Sequence, residues 1–261
     1  MLNTGSVSKI NKLLQLQPAG VVLTSGWLSQ HGYSPELLRN YRKSHWLEAI
    51  GNGAMIRQND PVDYLGGVYA LQQQLNLAVH PGAKTALSML GKTHYLDLGA
   101  NVVYLFGKEK ERLPVWFKNH NWGVEIKLIT SSFLPSEAGL IEKEHKSFSV
   151  KIASAARAMM ECLYLAPQNQ NILECFEVMQ GLTSLQPKTI QDLLENCSSV
   201  KVKRLFLYLA EKAGHAWFNH LNINQINLGH GNRSLASNGA YVSKYKLTVP
   251  KELERNDYPE L

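Results

Sequence analysis

Ile10, Leu13 and Leu14 recur at helical spacing between Lys9 and Lys12, which predicts an amphipathic first helix stopped near Pro18. Residues 21–23 (VVL) then read as a short strand. Thr24 is placed to cap a second helix through Trp27 and Leu28, closed at Gly32, where a left-handed residue ends the last turn. A third helix begins at once. Ser34 caps it, Pro35 suits the first helical position because its missing N–H costs nothing there, and Leu37, Leu38 and Tyr41 make one apolar face. Glu36, Arg39, Asn40, Arg42 and Lys43 are left outside. Residues 46–50 and 54–57 flank Gly51-Asn52-Gly53, and Asn-Gly between extended segments predicts a tight hairpin. Three helices followed by a hairpin is the order of a winged helix-turn-helix domain, assigned to residues 1–58.

Residues 57–60 are polar and turn-like, and Asp60-Pro61 supplies a cap and a first position for the next helix, so the domain boundary is placed there. Beyond it, 62–77 reads as a helix interrupted by Gly66-Gly67, and 85–90 as a shorter one. Extended runs follow at 94–98, 102–106 and 124–133, the last rich in β-branched and aromatic residues. From Phe148 the periodicity becomes helical, with segments at 150–165, 171–180, 188–197 and 202–213 punctuated by Pro167, Gly181, Pro187 and Gly214. A final strand is expected at 245–249. The fold class is therefore α/β in the mixed, α+β sense: the winged helix plus a larger domain over residues 60–250 that turns helical towards its C-terminal end. Residues 251–261 read as a charged, solvated tail.

Length agrees with two units, since 261 residues exceed the roughly 100–150 of a common single domain. An apolar content of 44%, with 18% charged residues and a mean hydropathy of -0.21, is enough for a buried core. A net charge of +6 and a pI near 9.1 favour a polyanionic partner. Cys162, Cys175 and Cys197 are odd in number and widely spaced, which fits neither a disulfide framework nor a metal knuckle and points to a reducing cytoplasm. The first 16 residues carry no apolar run of signal-peptide length, and no run approaches the roughly 18 residues that span a bilayer, so no membrane role is expected.

The third helix is the most informative segment. A recognition helix needs an apolar back for its own domain and a cationic front for phosphates and bases, and this one has both. Within residues 1–58, Lys9, Lys12, Arg39, Arg42, Lys43 and Arg57 oppose only Glu36 and Glu48. Double-stranded DNA is the expected partner, with Arg42 and Lys43 on phosphates, Arg39 reading base edges, Ser34 capping the helix and donating to phosphate, and Asn52 and Arg57 in the wing. A second reading is a metal-dependent nuclease: Asp97 with Glu125-Ile126-Lys127 has the spaced acidic and E-x-K elements that hold a hard cation and activate water. A third is an orphan DNA-binding regulator. His215 and His220 are five apart, on different helix faces, and read as packing or surface residues. The 229–233 loop (GHGNR) lacks the ending of a phosphate-binding loop and reads as a turn. No cofactor is implied.

With these segments in hand, the chain resembles the AbiEi antitoxin family of type IV toxin–antitoxin systems nearly end to end. The resemblance is carried by residues 24–56, 87–95 (LSMLGKTHY), 152–165 with its Ala-Arg-Ala-Met-Met-Glu core, 179–185, and above all 200–210 (VKVKRLFLYLA). Gly214-His215-x-Trp217-Phe218, the 228–233 loop, Lys244-Tyr245 and Val249-Pro250 complete the series. Met159-Met160 and Cys162 depart from it, standing where a more charged stretch is expected. The resemblance implies a repressor of its own operon whose larger domain counters a nucleotidyltransferase-type toxin without a stable toxin–antitoxin complex. It supplies no catalytic residues.

Overall fold

The computed structural model describes residues 9–92 and 102–254; the strand expected at 94–98, Asp97 within it, and the end of the tail lie outside these residues. The first six elements are α1 (Lys9–Leu16), β1 (Leu23–Thr24), α2 (Ser25–Gln30), α3 (Pro35–Lys43), β2 (Leu47–Gly51) and β3 (Ala54–Arg57). The strands form an antiparallel sheet in the order β1-β3-β2, so a winged helix-turn-helix stands where it was expected. Leu13, Leu28 and Leu38 bring the three helices onto the sheet residues Leu23, Leu47 and Met55. Gly32 closes α2 with φ +83°, a conformation that costs glycine nothing. Thr24 stands at the N-cap of α2 with extended backbone, yet its hydroxyl accepts no cap bond; the Ser25 N–H instead donates to Gly53 of the wing at 2.8 Å.

α4 (Tyr64–Tyr69) runs on into a π-turn, Ala70–Gln74. Two expectations are corrected here. The cap is Asp63, whose Oδ1 accepts from the Leu65 and Gly66 N–H groups, while Asp60 accepts from the Gly20 N–H at 2.8 Å. Gly66-Gly67 does not interrupt the helix but lets it pack: a Cβ on Gly66 would lie 2.0 Å from the Gly20 carbonyl oxygen, and one on Gly67 2.8 Å from the Phe117 ring.

β4 (His80–Pro81), β5 (Val102–Gly107) and β6 (Glu125–Thr130) form a second sheet with β5 central, antiparallel to β4 and parallel to β6. α5 (Ala83–Met89) follows β4, and α6 (Val115–Asn119) lies in the β5–β6 crossover. A hairpin follows, β7 (Leu140–His145) with β8 (Phe148–Ala153), where helix was expected from Phe148 onward. Phe148, Val150 and Ile152 are buried at a period of two, so they line one face of a strand, and α7 (Ala155–Leu165) begins only after Ser154 accepts from the Arg157 N–H. α8 (Ile172–Gln180), α9 (Pro187–Asn196) and α10 (Val200–Lys212) complete the helical part as expected. A small sheet, β10 (Ala240–Val242) beside β11 (Leu247–Val249) beside β9 (Arg233–Ser234), closes the described chain. The tail expected to be solvated from residue 251 starts as a 3₁₀ turn, Lys251–Leu253, because Leu253 is fully buried.

The apolar core has two clusters. One surrounds α7 and α10. The other joins Leu13, Leu28 and Leu38 of the winged helix to Val68, Leu71, Phe117, Phe148 and Val150, across the 57–61 junction where the composition changes. Polar clasps reinforce that continuity. Gln74, buried, accepts from the Thr24 N–H at 2.8 Å and donates to the Val22 carbonyl at 2.7 Å, taking the place of a strand beside β1. Gln72 bonds both the N–H and the carbonyl of Lys151 on β8. Asp63 also receives His145 and Lys146 from the β7–β8 turn, at 2.8 and 2.9 Å.

Glu161 of α7 is fully buried and accepts from Arg157 Nε at 2.8 Å, from the Ala83 N–H at 2.9 Å and from His80 Nε2 at 2.9 Å. Burial pushes its carboxyl up, but His80, Arg157 and the backbone donor together outweigh that and hold it below the ordinary carboxylate range. A depressed folded-state value means that this stability is present above the unfolded pKa of about 4.3 and is lost as pH falls through the folded value. Glu161→Gln, which leaves the Arg157 charge buried without its carboxylate, is expected to cost about 3–5 kcal/mol at neutral pH. Urea midpoints of wild type and variant should converge on acidification; a constant gap would sink this account.

Candidate nucleic-acid interface

α3 starts at Ser34, whose Oγ accepts from the Leu37 N–H at 3.2 Å, so its own hydroxyl proton is left to donate outward. Pro35 occupies the first turn as expected. Leu38 is buried and Leu37 and Tyr41 half-buried, which leaves Arg39, Asn40, Arg42 and Lys43 exposed on the other side. Among the described residues, no carboxylate pairs with Arg39, Arg42 or Lys43. Arg42 and Lys43 also lie in the last turn, where cations complement the helix dipole.

The wing turns at Asn52-Gly53, with Gly53 at φ +83° and a register shift between Ala49 and Gly51. Arg42 and Asn52 line one groove of about 250 Å³ between α2, α3 and the wing. Ser25 and Ser29 of α2 line it too. These two serines are site candidates that the sequence reading missed; their spacing of four on a helix was the available sign, since it puts both hydroxyls on one face.

Arg57 differs from the others. It lies at the base of the wing, in register with Leu47, and its Nη2 donates to the carbonyls of Leu14 at 3.1 Å and Gln17 at 2.5 Å. Burial lowers its pKa, with Asp60 opposing that shift. Its guanidinium therefore ties the end of α1 to β3 and is not turned towards the groove that Asn52 lines.

The nuclease reading names Asp97, Glu125 and Lys127. Glu125 and Lys127 pair with each other at 3.6 Å on the exposed strand β6, and Asp97 lies outside the described residues. Among the described residues, no group of three or more His, Cys, Asp or Glu side chains is arranged to hold a metal ion. His215 is buried, 2.6 Å from the Met179 carbonyl and stacked on Trp217, which is a packing role. The 228–231 loop turns its carbonyls inward onto Arg204 of α10, which is 2% exposed: Nε donates to Leu228 at 2.8 Å, Nη1 to Gly231 at 2.6 Å and Nη2 to Gly229 at 3.0 Å. That loop accepts a cation and does not cradle an anion. No helix among the described residues is long and apolar enough to cross a membrane.

Residues 6–98 match the family model of the N-terminal domain of the AbiEi antitoxin transcriptional regulator. Residues 100–250 match that of the transcriptional regulator, AbiEi antitoxin, of type IV toxin–antitoxin systems. The chain belongs to the AbiEi antitoxin family. The winged helix thus lies inside the family's N-terminal unit, which extends past it to include α4 and α5. Among solved structures, the crystal structure of RV2827C protein from Mycobacterium tuberculosis aligns with a TM-score of 0.59 at 15% identity, over 91% of this chain and 88% of that one. At that identity the likeness is one of fold alone. No curated protein matches the chain. The AbiEi models describe a transcriptional regulator and antitoxin.

Proposed function

We propose that this AbiEi-family protein represses its own operon by binding double-stranded DNA at an inverted repeat upstream, and that it protects the cell from a nucleotidyltransferase-type toxin without forming a stable complex with it. Residues 1–58 contact DNA and residues 60–250 carry the antitoxin activity, with both acting in the cytoplasm. The observation that carries the DNA reading is the α3 face: Arg39, Arg42 and Lys43 are exposed and without a carboxylate partner among the described residues, and Arg42 shares a groove with Asn52 at the tip of the wing. Ser34 adds a hydroxyl donor at the helix start, where the backbone dipole also favours phosphate. Arg57 acts indirectly in this reading, by holding α1 and the wing together.

A mobility-shift assay at moderate salt should give a clear preference for the operon's promoter over random duplex; equal binding to both removes the repressor reading. Arg42→Ala or Lys43→Ala should weaken binding to all sequences and flatten the salt dependence by about one unit for each phosphate no longer neutralised. Arg39→Ala should instead relax preference at one operator position. A uniform loss of affinity in that variant, with every position still discriminated, would make Arg39 a phosphate ligand. The toxin half of the reading stands or falls on whether a nucleotidyltransferase encoded beside this gene is neutralised on co-expression.

A further inference from the structure

A strand at the edge of a sheet leaves backbone groups that need partners, and side chains supply them at two edges of this protein. Gln74 does so beside β1, and Gln72 takes the N–H and the carbonyl of Lys151 on β8. Lys151 therefore turns its backbone groups away from β7. Its register partner Glu142 must turn away from β8, because the two residues of such an antiparallel pair face outward together. The alternation carries this to Leu140 and Glu144, and Gly139, next in line, is bonded inward by the Ser154 N–H at 2.8 Å. Among the described residues, nothing bonds the outward N–H and carbonyl groups of Leu140, Glu142 and Glu144. β7 thus presents an open edge.

The surroundings of this edge select its occupant. Ile141, exposed, borders a cleft of about 540 Å³ walled by Ala155, Ala156, Leu185 and Leu193, and lined also by the exposed Asp192. Glu142 and Glu144 are exposed and make no ion pair among the described residues. Two neighbouring cations are already engaged, Lys151 with Glu137 at 2.9 Å and His145 with Asp63 at 2.8 Å. Lys143 lies between the two glutamates in sequence and so on the opposite face of the strand. A second copy paired at the middle of β7 would set Glu142 against Glu142 or Glu144, and like charges directly opposite destabilise a ladder. A basic strand does the reverse.

We propose that β7 accepts an added antiparallel strand from a partner protein: an extended segment with lysine or arginine opposite Glu144 and Glu142, an acid opposite Lys143, and an apolar residue opposite Ile141. Main-chain bonds to Leu140, Glu142 and Glu144 supply the attachment, while the charge pairs and the cleft supply the selectivity. No residue of α3 or the wing takes part.

The probe is the peptide Thr-Lys-Glu-Lys-Ile-Thr, labelled with fluorescein at its N-terminus and amidated at its C-terminus, and its binding to the full-length protein is followed by anisotropy. Saturable binding is expected, with slowed hydrogen exchange at the amides of Leu140, Glu142 and Glu144. N-methylation of the second lysine removes the N–H that meets the Glu142 carbonyl and should abolish binding. The charge-swapped peptide Thr-Glu-Lys-Glu-Ile-Thr should bind about tenfold more weakly. On the protein, Glu142→Pro removes only an outward N–H, which an edge strand tolerates, so the variant should fold and lose the peptide. Glu142→Lys/Glu144→Lys should prefer the charge-swapped peptide. Equal binding of the N-methylated peptide overturns strand addition and leaves charge attraction alone. Absence of saturation up to millimolar peptide overturns the proposal outright. A dimer of the protein that Glu142→Pro dissociates also overturns it, since a second copy would then hold the edge. If Glu142→Pro does not fold, the two modified peptides decide by themselves.

Discussion

Replacing Arg39, Arg42 and Lys43 together by alanine is expected to abolish repression while leaving protection from the toxin intact. Arg42 and Lys43, each displacing a condensed counterion, contribute a salt slope of about 1.8, and the base contact of Arg39 adds about 1–3 kcal/mol, so the triple loss should lower DNA affinity by roughly two to four orders of magnitude near 0.1 M salt. The fold should barely notice. All three side chains are exposed, and among the described residues none makes a hydrogen bond or an ion pair that the fold depends on. Surface changes of this kind usually stay within about 0.5 kcal/mol, and the lost dipole complement of Arg42 and Lys43 adds only a few tenths to about 1 kcal/mol each. Co-expression with the toxin from a foreign promoter keeps antitoxin supply independent of autoregulation. Loss of protection by a folded, abundant triple variant would mean that DNA binding and neutralisation share one surface.

A fragment of residues 1–58 is expected to lack a cooperative unfolding transition, although α3 and the wing lie entirely within it. Leu13, Leu28, Leu38 and Met55 pack in one cluster with Val68, Leu71, Phe117 and Phe148, so cutting at the junction exposes the underside of the winged helix to water. A chain of about 60 residues is marginal even with a closed core, and this one would be open. The backbone would suffer too. Without Gln74, the Thr24 N–H and the Val22 carbonyl lose their partners, and without Gly66 the Val22 N–H loses its acceptor at 3.2 Å. In the fragment only water can replace these partners, and each group left buried and unpaired costs about 1–3 kcal/mol. Thermal melts followed by far-ultraviolet circular dichroism decide the matter: a sharp transition in the fragment, comparable with that of the full chain, would show that the winged helix is self-sufficient. A division at the boundary between the two family matches would be no cleaner, because β4 precedes it and pairs with β5, which follows it. DNA binding and antitoxin activity can therefore be separated by surface substitutions more readily than by truncation.

The sequence by itself determined the winged helix and its basic helix, because each of those features depends on residues close together along the chain. Ser34 needs only the N–H three residues on, Pro35 only its own φ, the Asn52-Gly53 turn only its two flanking strands, and the outward cations of α3 only a 3.6-residue period. The four helices from α7 to α10 were legible for the same reason. Where a short segment satisfied two periods at once, local reading failed: residues 148–153 alternate as a strand does but also continue the helical pattern of α7, and pairing with β7 chose between them. Tertiary structure alone assigned Gly66 to a close approach with the Gly20 backbone and sent Asp63 to the β7–β8 turn. It also spent the Arg57 guanidinium on α1 in place of the wing tip, and enclosed Arg204 in loop carbonyls. In each of these the deciding partner is a backbone carbonyl, a packed backbone or a charge brought near by the fold. A charged or small residue carries the capacity for such an interaction in its chemistry, but which partner it meets depends on where distant segments are held, and that is set by burial of the shared core.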